Sequence, residues 1–199
     1  MSRFTKDYFD KWYRSPNHRV HTPAEVARKV RMVVGIAEVL LERPVRTVLD
    51  VGCGEGAWQP ILERLRPAVR YTGVDPSEYA VERFGRRRNI RLGTFDRLDE
   101  LGLRGTFDLI VCCDFLNYLD TSELRRGLEH VRDLLGGVAY LEAYAAQDEI
   151  VGDIRGWHRR PAQWYRKLFE EMGLTGCGMH CYVGGALRGN TVALERATG

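Results

Sequence analysis

Val48-Leu49-Asp50-Val51-Gly52-Cys53-Gly54-Glu55-Gly56 decides how the rest of the chain is read. It is an apolar run that stops in a glycine-rich turn, and a helical pattern opens at Ala57 with no spacer. Strand, tight loop and helix in direct succession place the loop at a strand's carboxyl end. Three glycines in five positions let that backbone take left-handed angles and approach a ligand where a side chain would block it. Asp50 stands out in the run. A carboxylate inside a strand buried on both faces is costly unless something polar meets it, so its position predicts a ligand partner.

Composition sets outer limits. With 199 residues, 44% hydrophobic and 29% charged, the chain is the size of one domain and can bury a core without cross-links. No apolar stretch approaches the length of a membrane span, and the amino terminus is too polar for a secretory signal, so the expected location is cytoplasmic. The five cysteines are an odd number without paired CxxC spacing, and Cys53, Cys112 and Cys113 fall in or beside apolar strands. Neither a disulfide framework nor a metal site is expected. A formal net charge of +3, not gathered in a tail, does not point to nucleic acid. The four arginines between 83 and 88 read as solvated surface, since Phe84 is the only aromatic residue among them.

The segment from Asp50 to Gly56 resembles the first motif of class I S-adenosylmethionine-dependent methyltransferases, an acidic residue followed by Gly-Cys-Gly-x-Gly at the end of the first strand. Gly52-x-Gly54-x-x-Ala57 also fits the looser dinucleotide fingerprint. Asp50 favours the methyltransferase, because a dinucleotide site needs no charge two residues before its first glycine. The resemblance covers residues 46–143 well and continues loosely to 195. It implies an α/β fold, a Rossmann-like doubly wound seven-stranded sheet, mostly parallel with an antiparallel last strand. Residues 1–45 would form an amino-terminal arm and helix, and residues 46–199 the S-adenosylmethionine-binding domain. The resemblance further implies that Asp50 and the backbone of Gly52, Cys53, Gly54 and Gly56 hold the methionine end of the cofactor. Asp75, with Pro76 beside it, would hold the ribose, Asp96 the adenine amino group, and Asp114 both cofactor and acceptor.

The remaining pattern is compatible with that frame. Residues 1–21 carry Phe4, Tyr8, Phe9, Trp12, Tyr13, His18 and His21, too aromatic for a frayed end, and read either as a cover on one sheet face or as a lid over the site. Thr22-Pro23-Ala24-Glu25 is a capping box with proline at the first helical position, and a long helix follows to about Leu41, lying beside the first strand. Strands are expected at Arg46–Val51, Tyr71–Val74, Ile90–Leu92, Phe107–Cys113 and Val138–Glu142, with helices at Ala57–Leu65, from Ser77, at Ser122–Leu135 closed by Gly136-Gly137, and at Pro161–Met172. Leu174–Val183 and Asn190–Glu195 read as a closing hairpin. As one strand, the first of these would hold Cys177 and Cys181 roughly 13 Å apart, which bars a shared ion with His180.

The expected activity is methyl transfer to an oxygen or nitrogen of a small-molecule acceptor. The chain lacks the Asn/Asp-Pro-Pro-aromatic motif of enzymes that methylate exocyclic base nitrogens. The nucleophile would enter past Asp114–Tyr118, with Asp114 and Tyr118 as catalytic candidates. His158, in the long weakly periodic loop Ala145–Arg160, is the leading general base, ahead of Glu142, Tyr144, His21 and His180. The alternatives are methylation of a protein or RNA, a silent S-adenosylmethionine-binding partner protein, and a nicotinamide-dependent oxidoreductase.

Overall fold

The apolar run forms β1 (Thr47–Val51) in a computed structural model that describes residues 4–150 and 152–196. The first three residues of the arm and the last three of the chain lie outside the described residues. On one side β1 pairs in parallel with β2 (Arg70–Asp75), and β2 with β3 (Ile90–Leu92); on the other it pairs with β4 (Phe107–Cys112), and β4 with β5 (Leu135–Leu141). β7 (Cys181–Val183) joins β5 antiparallel, and β6 (Thr175–Gly176) joins β7, giving seven strands in the order β3-β2-β1-β4-β5-β7-β6. This is the expected doubly wound sheet. The strand order reverses between β1 and β4, and at that switch point the loops leaving both strands open a crevice at the carboxyl edge.

Successive side chains of the buried strands point to opposite faces and build two cores. Val48, Leu109, Val111 and Val138 face α2 (Pro23–Leu41) and α3 (Gln59–Leu65). Leu49, Ile110, Ala139 and Leu141 face the 3-10 segment Phe95–Leu101, α5 (Thr121–Leu134) and α6 (Ala162–Glu171). α4 (Glu78–Arg88) covers β2 and β3, capped by the Ser77 hydroxyl. The capping box on α2 forms as its sequence requires, with Thr22 and Glu25 exchanging hydrogen bonds. Helix α2 runs antiparallel to the sheet, because Lys29 near its start reaches β4 and β5 at their carboxyl ends while Glu38 near its end accepts from the Val45 backbone. It lies over β4 and β5 rather than beside β1. Among the described residues no helix is long and apolar enough to cross a membrane.

Three elements differ from the sequence reading. Gly136 and Gly137 do not close α5 but belong to β5, where a Cβ at Gly137 would stand 2.1 Å from the Asp108 carbonyl oxygen. Their bareness is required by the close approach of β4, whose register shifts between Phe107 and Leu109. Asn190–Glu195 is not a strand; a 3-10 turn, Gly185–Asn190, ends there instead. The closing hairpin lies wholly within Leu174–Val183, because Gly178, Met179 and His180 all take left-handed angles and reverse the chain. Cys177 and Cys181 therefore face each other across the turn, the Cys177 Sγ lying 3.3 Å from the Cys181 carbonyl oxygen. The long separation expected for them does not hold.

Candidate active site

A cavity of about 820 Å³ occupies the crevice, a size in the upper part of the range for small-molecule sites. Sheet order divides it. The ends of β1, β2 and β3 supply one half, the ends of β4 and β5 with the 145–160 loop supply the other, and Phe4, Tyr8, Phe9, Trp12 and Tyr13 of the arm roof it.

In the first half the glycine loop turns at φ +65°, +54° and +72° for Gly52, Gly54 and Gly56, angles that side chains disfavour. A Cβ on Gly52 would stand 2.5 Å from the Phe115 ring, and one on Gly54 would stand 2.8 Å from the Tyr13 hydroxyl. The missing side chains thus let Phe115 and Tyr13 pack directly on the loop backbone at the cavity wall. Asp50, only 2% exposed, accepts from the Tyr71 hydroxyl at 2.7 Å, and burial pushes its carboxyl up to about 7. Asp75 accepts from the Gly54 and Ser77 amides at 2.6 and 2.9 Å; burial still lifts it to about 6 against those two bonds. Asp96, bound by Arg126 at 3.1 Å, lines the wall beyond β3, and Pro76 lines it beside Asp75. Cys53 contributes backbone more than thiol, since its Sγ fills the space that a Cβ on Gly73 would need. Acceptor groups at the ends of three successive strands, with the bare loop between them, fit an elongated nucleoside bearing amino and hydroxyl donors.

The second half centres on Asp114. This residue leaves β4 with φ +61°, a strained angle for a side chain, and so turns its carboxylate into the cavity. His21, at the junction of arm and α2, meets it at 2.6 Å through Nε2. Burial pushes the Asp114 carboxyl up, but the His21 hydrogen bond and the charge of Lys29 outweigh that and hold it below the usual range. Behind it Lys29 donates to both Glu142 oxygens at 2.8 Å, with Tyr140 on the same carboxylate and the Cys113 thiol 2.8 Å from it. Burial lowers the Lys29 pKa, yet Cys113, Asp114 and Glu142 raise it further, so the ammonium is fixed in its charged form. Donor atoms of Cys113, Asp114 and Glu142 lie within 4.8 Å of one another, and the Lys29 ammonium already supplies that cluster with its cation.

The structure brings Asp50, Gly52, Cys53, Gly54, Asp75, Pro76, Asp96, Asp114 and Tyr118 onto one cavity, and leaves out His158 and Gly56, which packs against Ile90 and Arg88 instead. The His158 side chain is exposed and off the cavity wall; only its backbone amide is engaged, by the Asn117 carbonyl at 2.8 Å. Tyr118 lines the wall, but its hydroxyl donates to the Asp153 carbonyl at 2.5 Å, which makes it a fastener of the 145–160 loop. Asn117 adds to that clamp, donating to the Tyr144 carbonyl and accepting from its amide. Tyr71, Lys29 and Asn117 have no local sequence signal and act across strands or loops far apart in the chain.

A family model described as a methyltransferase domain matches residues 21–178. Among solved structures, the amino pentose methyltransferase CalS10 of Micromonospora echinaspora, solved with S-adenosylmethionine, is 20% identical, with 77% of this chain and 86% of that chain covered at TM-score 0.62. The sugar N-methyltransferase KedS8 of Streptoalloteichus sp is 19% identical, covering 75% and 79% at TM-score 0.61. The magnesium protoporphyrin IX methyltransferase of Synechocystis PCC 6803, solved with S-adenosylhomocysteine, is 20% identical, covering 87% and 89% at TM-score 0.57. No curated protein sequence matches the chain. At these identities the neighbours establish fold, while the family match spans most of the sequence and includes the glycine loop and Asp114. The chain belongs to the class I S-adenosylmethionine-dependent methyltransferases.

Proposed function

We propose that the enzyme methylates an oxygen or nitrogen of a small-molecule acceptor, and that His21, held by Asp114, takes the acceptor's proton. The observation that carries this is the 2.6 Å contact between His21 Nε2 and the Asp114 carboxylate on the cavity wall. An anionic Asp114 fixes the tautomer with the proton on Nε2, which leaves the Nδ1 lone pair for a proton from the acceptor. Bound S-adenosylmethionine supplies a methyl group already activated on a sulfonium, so the chain's own work is placement, exclusion of water and proton acceptance. Asp50, the Gly52–Gly56 backbone, Asp75 and Asp96 would hold the cofactor. The arm roofs the cavity and leaves a compartment suited to a small molecule; a macromolecular acceptor would have to displace it. The neighbours acting on an amino pentose, a sugar and a porphyrin support the same reading.

The test is labelled methyl transfer over a panel of small amines, phenols and alcohols, alongside total protein and RNA, with the wild type and His21→Gln. Labelled small molecules are expected, with His21→Gln losing ~100-fold or more in kcat while its S-adenosylhomocysteine affinity is unchanged. Label in protein or RNA alone, or full activity in His21→Gln, would overturn the acceptor class or the base respectively.

A further inference from the structure

The charge of the cavity is uneven along its length. Among the described residues two arginines line it, Arg64 and Arg88 on α3 and α4 beside the cofactor half, where they offset part of the charge of Asp50, Asp75 and Asp96, and Arg88 donates to the Glu55 carbonyl. At the other end Asp114, Glu123, Glu149 and Asp153 line the wall, with no lysine or arginine among the described lining residues there. Part of this charge is met internally. Asp114 has His21, Asp153 has the Arg155 side chain at 3.2 Å, and Glu123 caps α5 by accepting from the Asp120 amide at 2.8 Å. Lys29 and Glu142 sit behind Asp114 and cancel each other. The net field at the acceptor end is negative. Its walls are ring faces and edges: Tyr144 and Trp157 stack with centroids 6.0 Å apart and planes 15° apart, and Tyr118 meets Trp157 edge-on at 5.7 Å.

Building on the methyltransferase reading above, we propose that the acceptor is an amine that enters as its ammonium ion, so that nitrogen is the atom methylated. A carboxylate or phosphate ligand would meet the net negative charge of this end, with no lysine or arginine among the described lining residues there to pair with. An ammonium is drawn by the same carboxylates and by the aromatic faces. Once held, the nitrogen gives one proton to Nδ1 of His21, and its freed lone pair forms the nitrogen–carbon bond while the carbon–sulfur pair returns to sulfur. A neutral amine and a sulfonium become an alkylated ammonium and a thioether, so the reacting pair carries one positive charge throughout. That charge moves along the cavity toward the acidic end, where the carboxylates stabilise it in the transition state. The proton on His21 passes to water when the product leaves.

Calorimetry on the full chain saturated with S-adenosylhomocysteine, whose thioether is uncharged, isolates the acceptor end from the cofactor's own cation. Benzylammonium, benzyl alcohol and benzoate share one ring and differ in charge. Benzylammonium is expected to bind at least ~10-fold tighter than benzyl alcohol, as a cation–π contact plus a half-exposed ion pair supply, with benzoate weakest. Asp114→Asn, checked first for intact S-adenosylhomocysteine affinity, should narrow the ratio. Benzyl alcohol binding as tightly as benzylammonium overturns the nitrogen acceptor and leaves the small-molecule reading standing. Binding of none of the three overturns both.

Discussion

Asp50 shows how one residue can be tuned by burial. Its carboxyl is pushed up to about 7 and that of Asp75 to about 6, both by burial, against an ordinary value of 3.8. Between about pH 4 and 7 these two groups therefore hold more protons in the folded, ligand-free protein than in the unfolded chain. Their contribution to stability then falls as pH rises through that window, since raised carboxyls contribute stability fully only below their unfolded value. Asp50→Asn keeps an acceptor for the Tyr71 hydroxyl and removes the buried charge. It should stabilise the ligand-free protein by about 4 kcal/mol at pH 8 and by about 1.5 kcal/mol at pH 5, read as paired melting curves. An equal gain at both pH values would show that the carboxylate is not ionising in place. Asp75→Ala should weaken S-adenosylhomocysteine by ~2–4 kcal/mol, because a charged acceptor is lost and the Gly54 amide it anchors is released; calorimetric titration reads it directly. Asp50 was legible as anomalous, but its partner was not: Tyr71 reaches it through the β1–β2 register, in which Val48 and not Asp50 faces Tyr71. The His21–Asp114 pair joins residues 93 positions apart, whereas His158 drew notice only because its loop is long.

At the scale of elements, two glycines after a helix carry two physical meanings. They can supply the left-handed cap that ends the helix, or let two strands approach where a Cβ would collide. Sequence favours the first reading for Gly136-Gly137, and the bulge in β5, where both glycines oppose Asp108 of β4, imposes the second. Asp108 is itself pinned by Arg43 at 2.7 and 3.0 Å and by the Arg46 amide at 2.7 Å, so β4 has little freedom to yield. Gly137→Ala should therefore cost ~3 kcal/mol or more in urea unfolding, since the collision is with backbone. Gly35→Ala, inside α2 with nothing within 4 Å of the added carbon, is the control and should stabilise by ~0.5–1 kcal/mol. A mild effect at 137 would mean the strand pair can part. The parallel strands β1, β4 and β5 were legible as mostly apolar runs between turn residues, and β2 and β3 by the turn residues that bound them. The closing hairpin was not, because left-handed angles at Met179 and His180 are set by the turn and have no glycine to announce them.

For the whole molecule, the question is whether the arm is a fixed cover or a lid. Residues 6–14 form a single α-turn continued by a π-turn, a length that does not hold itself together in water. Its order comes from the rim of the cavity. The Phe4 carbonyl accepts from the Ser77 hydroxyl at 2.6 Å, Arg14 pairs with Glu55 of the glycine loop, and His21 closes on Asp114. Phe9, 2% exposed, packs on Tyr79 at the start of α4 with ring centroids 5.6 Å apart. These attachments touch the loop, the first turn of α4 and the end of β4, the places a bound cofactor would also touch, and not the covered faces of the sheet. Ligand and arm thus share a surface. A ligand filling the cavity adds contacts beneath Tyr8, Trp12 and Tyr13, and the free energy of binding is then partly free energy of arm ordering. Because His21 rides on this segment, ordering the arm and seating the base are one event. We therefore expect amide hydrogen exchange in residues 4–21 to slow by ~10-fold or more when S-adenosylhomocysteine is added, while β1, β4 and β5 stay protected in both states. Strong protection of the arm without ligand, unchanged on its addition, would show a static cover and would separate the position of His21 from cofactor binding.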